Sequence, residues 1–260
     1  MVEDKKIPKT IHYCWFGGNP LPPLAKKCIN SWKKYLPDYE IKQWDESNFD
    51  VNSIPYTREA YKEKKYAFVS DYARFWILNK YGGLYFDTDV EIIRPLDDII
   101  SCGPFMGCEK QPFVDTNFRS GNEHILKIAP GLGIGAYSRH KFYEEILDIY
   151  STLSFYNSDK TLNQKTIVEY TTELLYKKGL RNVSTIQYIQ GIYIYPEDYF
   201  CPLSPTLVLN LTKNSRTIHH YSASWETKSV RFRKKIKRLL GYRMVSKIQP
   251  FIVKVRQKIL

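Results

Sequence analysis

Three short stretches of this 260-residue chain carry residues whose types and spacing suit chemistry. The first is Asp87-Thr88-Asp89, which follows Gly82-Gly83 and the apolar run Leu84-Tyr85-Phe86. In an extended segment this alternation sets both carboxylates on one side of the chain. Paired carboxylates at a strand end are hard oxygen donors, suited to Mn2+ or Mg2+ already holding phosphate oxygens. There the ion neutralises charge developing on a leaving diphosphate. The second stretch holds Asp71 and Arg74, three apart and so on one helical face. Exposed, the pair would be worth little. Its neighbours Ala67, Phe68, Val69, Phe75, Trp76 and Ile77 are apolar, so it is expected to be covered. A covered Asp–Arg pair is expensive unless it has a task, and it would aim fixed donors and an acceptor at a polyhydroxylated ligand. The third stretch is His219, His220, Ser224 and Trp225. No further His or Cys stands nearby in sequence to complete a zinc site on the two histidines. One of them is expected to complete a carboxylate-bound metal or touch a diphosphate. Ser224 and Trp225 offer a hydroxyl and an indole N–H to phosphate oxygens.

Several elements must position these residues. Ile7–Phe16 reads as a buried strand stopped by Gly17-Gly18, followed by a helix over Leu24–Tyr35 and a strand at Tyr39–Trp44. Strand, helix, strand at this spacing predicts an α/β layer with a parallel sheet. Arg58–Tyr81 reads as one long helix ended by Gly82-Gly83. A short strand then delivers the two aspartates, and Val90–Ile93 continues before Pro95. Ser101–Gly135 is expected to be a loop region with one short strand, Pro130–Gly135 its most flexible piece. Asn117 or Glu123 would border an acceptor pocket. Helices are expected at Lys141–Ser154 and Thr161–Lys178, and short strands, Ile192–Tyr195 among them, follow.

The chain carries 39 basic and 27 acidic residues, a formal charge of +12, and 15% aromatic residues. It is too apolar and aromatic for disorder in bulk. No stretch approaches the ~20 apolar residues of a membrane span, and the N-terminus does not read as a secretory signal. Twelve basic residues lie between Lys228 and Lys258, with no acid after Glu226, so residues 1–227 hold 27 basic against 27 acidic residues. A neutral body with a basic appendage is therefore expected: one domain over 1–227 and a tail over 228–260. Five cysteines without a CxxC pair predict neither a disulfide framework nor a thiolate zinc site, and fit a reducing cytoplasm.

Together, IPKTIHYCWFGG, SDYARFWILNKYGGLYFDTDVEI and HHYSASW resemble the sugar-binding DXD glycosyltransferases of family thirty-two, from about Ile7 to Trp225. That group includes bacterial capsular polysaccharide enzymes and fungal mannosyltransferases, and is distant kin of the clostridial glucosylating toxins. The resemblance implies a GT-A fold (a Rossmann-like nucleotide-sugar-binding domain), a nucleotide-sugar donor with UDP-sugars favoured, a divalent metal, and transfer with retention. It implies Asp71 and Arg74 as the pair gripping the donor sugar. Asp87 is the first DXD carboxylate, near ribose and sugar, and Asp89 the second, on the metal. Trp15 matches an aromatic stacked on the nucleotide base. His220, Ser224 and Trp225 match C-terminal metal and phosphate contacts, with His219 adjacent and able to take His220's place. On this reading Asp71, Arg74 and Asp87 are the catalytic residues. Trp15, Ser224 and Trp225 join them in binding the donor, and Asp87, Asp89 and His220 form the metal set.

The tail alternates basic residues with Val230, Phe232, Ile236, Leu239, Leu240, Met244, Val245, Ile248, Phe251 and Ile252. A basic amphipathic helix there would gain about 1 kcal/mol per Lys or Arg near an anionic surface, plus buried apolar area. Its large aliphatic residues point to lipid rather than nucleic acid. This suits an enzyme attached to the inner face of the cell membrane and acting on a polyprenyl-linked glycan. Two rivals remain open at this point. Asp87 would be the nucleophile of a haloacid-dehalogenase-like phosphohydrolase, or the tail would act as a non-catalytic adaptor for membrane or nucleic acid.

Overall fold

The computed structural model describes residues 6–110, 126–204 and 208–222. Asn117, Glu123, Ser224, Trp225 and the tail over 228–260 lie outside these. The elements in chain order are β1 (Thr10–Cys14), α1 (Pro23–Tyr35), β2 (Glu40–Trp44), α2 (Pro55–Lys62), α3 (Tyr66–Tyr81), β3 (Gly83–Tyr85), β4 (Val90–Ile92), α4 (Asp97–Ile100), β5 (Phe105–Lys110), β6 (Leu126–Ile128), a 3-10 turn (Pro130–Leu132), β7 (Ile134–Ala136), α5 (Lys141–Ser151), α6 (Ile167–Lys177), β8 (Gln187–Ile189), β9 (Ile192–Tyr195), α7 (Glu197–Phe200) and β10 (Thr217–His219). The main sheet runs β2-β1-β3-β7-β5-β9-β8, with β6 on β5. Its first three strands are parallel, β7 is antiparallel to both its neighbours, and β5 and β9 are parallel. The α/β expectation holds, with a mixed rather than all-parallel sheet. No helix among the described residues is long and apolar enough to cross a membrane.

The parallel half follows from its connections. Pro23 starts α1, where its missing N–H costs nothing. The helix buries Ala25, Cys28, Ile29 and Trp32, one face at the 3–4 residue spacing. Trp32 Nε1 donates to Val90 O at 2.7 Å and Ser31 Oγ accepts from Ile92 N at 2.9 Å, which fixes β4 along α1. Helix α3 is covered on most sides: Val69, Asp71, Tyr72, Ala73, Arg74, Phe75, Ile77 and Leu78 are all buried. Gly82 closes it, accepting the positive φ of a helix stop, and Gly83 lies so close to β1 that a Cβ would stand 2.6 Å from Thr10 O.

Four expectations fail here. The long helix over Arg58–Tyr81 is two helices. Lys64 takes φ +56° and Lys65 N returns to Ala60 O at 2.8 Å, a Schellman-like stop made without glycine. Pro130–Gly135 is the opposite of a flexible loop: it is buried throughout, and its last part is a strand inside the sheet. Its glycines provide room. A Cβ on Gly131 would collide with the Asp87 carboxylate, on Gly133 with Phe86, and on Gly135 with Phe105. Ser101–Gly135 as a whole contributes β5, β6 and β7 rather than one strand. Helix α6 begins at Ile167 instead of Thr161, because Thr166 and Glu169 form a capping box, with Thr166 N donating to Glu169 Oε2 at 2.8 Å.

His12 ties β1 to both neighbouring strands. Trp44 Nε1 on β2 donates to its Nδ1 at 3.1 Å, and Nε2 lies 3.0 Å from Gly82 O, at the start of β3. Indole nitrogen is a donor only, so Nδ1 must accept and Nε2 must carry the proton to the carbonyl. A neutral ring satisfies both bonds; a second proton would break the one from Trp44. Burial, aided by Lys42, pulls the His12 pKa down from 6.5 to about 4 against the pull of the Gly82 bond. The neutral form is the folded form, so this contribution is complete above pH 6.5. It falls as pH drops through 6.5 towards 4, where only the unfolded chain takes the proton, by on the order of 3 kcal/mol. Nitrogen-15 NMR across pH 7.5 to 4 is expected to show His12 held as the Nε2–H tautomer to about pH 4. Titration near 6.5 would contradict this account.

Candidate functional site

Strands β1 and β3 are parallel neighbours, so their carboxyl ends open on the same side of the sheet, where open α/β sheets hold ligands. Trp15 follows β1 there, half-buried, its N bonded to Trp44 O at 2.8 Å and its Nε1 donating to Asn19 O at 2.5 Å. Phe86 and Asp87 follow β3. Phe86 N donates to His12 O at 3.2 Å and Asp87 N to Gly131 O at 3.0 Å, so the chain stays fixed up to the first aspartate.

Arg74 is the centre of the site. It is 4% exposed, and its guanidinium is shared between two carboxylates. Nη2 donates to Asp71 Oδ1 at 2.9 Å, while Nη1 lies 3.4 Å from Asp87 Oδ2 and Nη2 3.3 Å from Asp87 Oδ1. Nε donates to Ser70 O at 3.1 Å, and the group sits 4.9 Å above the centre of the Tyr85 ring. Tyr85 itself donates to Asp87 Oδ1 at 3.0 Å. Asp71 gives its other oxygen to Ile167 N, in the first turn of α6, at 3.2 Å. Burial raises Asp71 to about 6, against the pull of Arg74 and that N–H. Burial also opposes the charge on Arg74, but Asp87, Tyr85 and Asp71 outweigh it and hold its pKa above the ordinary value. Asp71 is therefore turned into the protein, whereas the Asp87 side chain keeps 33% exposure. Of the three expected donor-binding residues, Asp87 is the most exposed, and Arg74 is buried between it and Asp71.

Asp87-Thr88-Asp89 is a turn, not an extended segment: Val90 N donates to Asp87 O at 3.0 Å. This corrects the expectation that both carboxylates share one side. Asp87 turns to Arg74 and Tyr85. Asp89, 6% exposed, turns to the two-stranded sheet of β4 and β10. There it lies 3.4 Å from His219 Nε2 and accepts from Ser222 N at 2.8 Å. Burial works against its charge, but His219 and the Ser222 N–H hold its pKa well below the carboxylate range. His219 is correspondingly held well above 6.5 by Asp89, despite burial. His220 Nε2 is bonded to Glu91 Oε2 at 2.8 Å, and Lys27 Nζ reaches the same oxygen at 2.8 Å. The two histidines therefore divide between the two acids: His219 stands on Asp89 and His220 on Glu91. The expected set of Asp87, Asp89 and His220 is not gathered at one point, because the turn separates the aspartates and Glu91 takes the imidazole.

Asp89 offers a buried, ionised carboxylate, a hard oxygen donor of the kind Mn2+ or Mg2+ takes, and here its charge is met by His219 and the Ser222 amide. Tyr85, Gly131, Glu91 and the Ile167 N–H escaped the sequence reading. Tyr85 had a signal, since it lies two residues before Asp87, the spacing that shares a face in an extended chain. Gly131 and Ile167 reach the site through tertiary packing alone.

Residues 22–105 match the family model described as a glycosyltransferase sugar-binding region containing a DXD motif, which spans α1 to the start of β5. Over 157 residues, 56% of this chain, the protein is 31% identical to inositol phosphoceramide mannosyltransferase 3 of Schizosaccharomyces pombe, covering 42% of it. Over 121 residues, 44% of the chain, it is 33% identical to the uncharacterized glycosyltransferase L373 of Acanthamoeba polyphaga mimivirus, covering 48%. The chain thus spans about half the length of the curated relatives it matches. Among solved structures, the glycosyltransferase PaToxG aligns with a TM-score of 0.46 at 18% identity, over 67% of this chain and 71% of that one. The galactosyltransferase LgtC, solved with donor and acceptor sugar analogues, aligns at 0.42 and 14%, over 87% and 92%. At these scores the fold described above rests on its own strand order.

Proposed function

We propose that this chain is a metal-dependent, retaining glycosyltransferase. It would move a hexose from a nucleotide-sugar, with UDP-sugars favoured, to a lipid-linked or polysaccharide acceptor in surface-glycan synthesis. The observation that carries this reading is the buried Arg74 guanidinium paired with the part-exposed Asp87, which follows β3 at the carboxyl end of the sheet. It lies inside the stretch that matches a sugar-binding region. Arg74 donates to sugar hydroxyls and Asp87 accepts from them, which fixes the anomeric carbon for the acceptor. Asp71, bonded to Arg74 and to the start of α6, fixes the guanidinium beside the sugar. Trp15, at the end of β1, offers its ring to the nucleotide base. Asp89, with His220 and Glu91 beside it, would hold the ion, which when bound neutralises charge on the departing diphosphate. Ser224 and Trp225, two and three residues beyond the Ser222 amide that binds Asp89, would donate to the phosphate oxygens. The hydrolase reading needs Asp87 as a free nucleophile, whereas its oxygens are met by Arg74 and Tyr85.

A thermal-shift panel of UDP- and GDP-sugars with and without Mn2+ tests this directly, since a ligand that binds only the folded state raises its stability by mass action. At least one nucleotide-sugar is expected to raise Tm in Mn2+ and not without it. Asp89→Ala is expected to abolish that shift, and donor hydrolysis with it, while the variant stays folded. Mn2+-independent binding, or full hydrolysis by the folded variant, would overturn the reading.

The basic, aliphatic segment 228–260 would dock the enzyme on the anionic inner face of the cell membrane, next to a polyprenyl-linked glycan, and not on nucleic acid. The full chain is expected to sediment with vesicles containing anionic lipid. A chain ending at Thr227 is expected to stay in solution and still hydrolyse a soluble donor. Truncated protein that stays on vesicles in ~0.5 M salt, where charges are screened beyond a few ångströms, would refute the tail's role.

A further inference from the structure

Beside His219 stand two further metal-ligating side chains, Glu109 and Cys201. One donor atom from each of Glu109, Cys201 and His219 lies within 4.8 Å of the others. The three come from distant parts of the chain: Glu109 from β5, Cys201 from the residue that ends α7, and His219 from β10. Hydrogen bonds and close packing hold these segments together. Arg216 N donates to Tyr199 O at 2.7 Å and Thr217 Oγ1 to Phe200 O at 2.9 Å, joining β10 to α7. Gly107 on β5 packs so closely on Phe200 that a Cβ would stand 2.8 Å from its Cβ. Glu109 is 7% exposed and Cys201 6%, so the donors meet inside the protein.

We propose that Glu109, Cys201 and His219 form a binding site for a borderline-soft divalent cation of the zinc class, separate from the oxygen-donor site at Asp89. A set of one sulfur, one nitrogen and one carboxylate selects zinc-like ions over Mg2+ or Mn2+, because thiolate is a poor ligand for hard cations. The spacing suits it as well. Ligand lengths of about 2.0–2.3 Å imply tetrahedral donors roughly 3.3–3.8 Å apart, and the three donor atoms here already lie within 4.8 Å of one another. The histidine is already in the posture of a metal ligand. Its Nε2 is at Asp89 Oδ1, and its Nδ1 is buried without a hydrogen bond. Metal-bound histidines characteristically donate their other N–H to a carboxylate, which fixes tautomer and ring plane. The Tyr221 hydroxyl lies 2.9 Å from Cys201 Sγ beside the cluster, and a water would supply the fourth ligand of a tetrahedral ion. An ion here would join β5, α7 and β10 and hold His219 as a neutral Nε2–H donor to Asp89.

The site is tested with metal alone, on the full chain, reduced and freed of metal, so its failure and that of glycosyl transfer are read separately. One equivalent of Co2+ is expected to give a thiolate-to-cobalt charge-transfer band, displaced by Zn2+ and not by excess Mg2+ or Mn2+. Cys201→Ser is expected to abolish the band. Cys102→Ser, at the exposed cysteine, is expected to leave it intact. Glu109→Gln keeps the band and weakens Co2+ at least about tenfold. Absence of a thiolate band, or a band that survives Cys201→Ser, would overturn the proposal. Should Cys201→Ser fail to fold, unchanged Co2+ affinity in Glu109→Gln would overturn it equally.

Discussion

The site depends on one buried cation. Arg74 lies inside the protein with its charge balanced by two carboxylates of unequal standing, one turned inward and one towards solvent. A guanidinium in such a place is tolerated only while its partners hold, and removing one partner of a buried pair costs about 3–5 kcal/mol. Asp71 cannot drift, because α6 presents an N–H to its second oxygen. Asp87 cannot drift either, because its backbone N is bonded to Gly131 and its carboxylate to Tyr85. Pre-set in this way, the guanidinium and the outer carboxylate form a rigid donor–acceptor pair, and a sugar binding there would lose little order in the protein.

The topology delivers a second, differently built site one turn away. After Asp87 the chain leaves the main sheet, turns through Thr88 and Asp89, and enters β4, which pairs with β10 rather than with β3. This small sheet returns the C-terminal segment to the turn, so that His219, His220 and Ser222 meet Asp89 and Glu91 across 129 or more residues of sequence. Trp32 and Ser31 hold β4 from the other side. The two aspartates thus have different tasks because they have different neighbours. One belongs to an arginine and a tyrosine, the other to a histidine and a backbone amide.

Much of this was readable from sequence where local rules apply. The Asp71/Arg74 pairing follows from a three-residue helical spacing. The Gly82-Gly83 stop follows from conformational freedom, and the strand ending at Tyr85 from its apolar run. Three readings failed because the residue types do not announce the deciding contact. The left-handed Lys64 that splits α2 from α3 carries no glycine or proline to announce it. Gly131, Gly133 and Gly135 looked like flexible chain, yet they are small because Asp87, Phe86 and Phe105 press against them. The Asp87–Asp89 turn looked like strand, because nothing local shows that β4 pairs elsewhere. The division of His219 and His220 between two acids likewise depended on the register of β10 against β4, which no local pattern encodes.

The most direct test of the central claim compares, by calorimetry in Mn2+, the affinities for a nucleotide-sugar and for its parent nucleoside diphosphate, in the native protein and in folded Arg74→Lys. A lysine keeps the charge but loses the planar fork that serves two partners at once. The account predicts that the variant loses at least about tenfold in nucleotide-sugar affinity, ~1.4 kcal/mol, while nucleoside diphosphate binding changes less than about twofold. Equal losses for both ligands, or none for either, would show that Arg74 is a packing residue and that the sugar is held elsewhere.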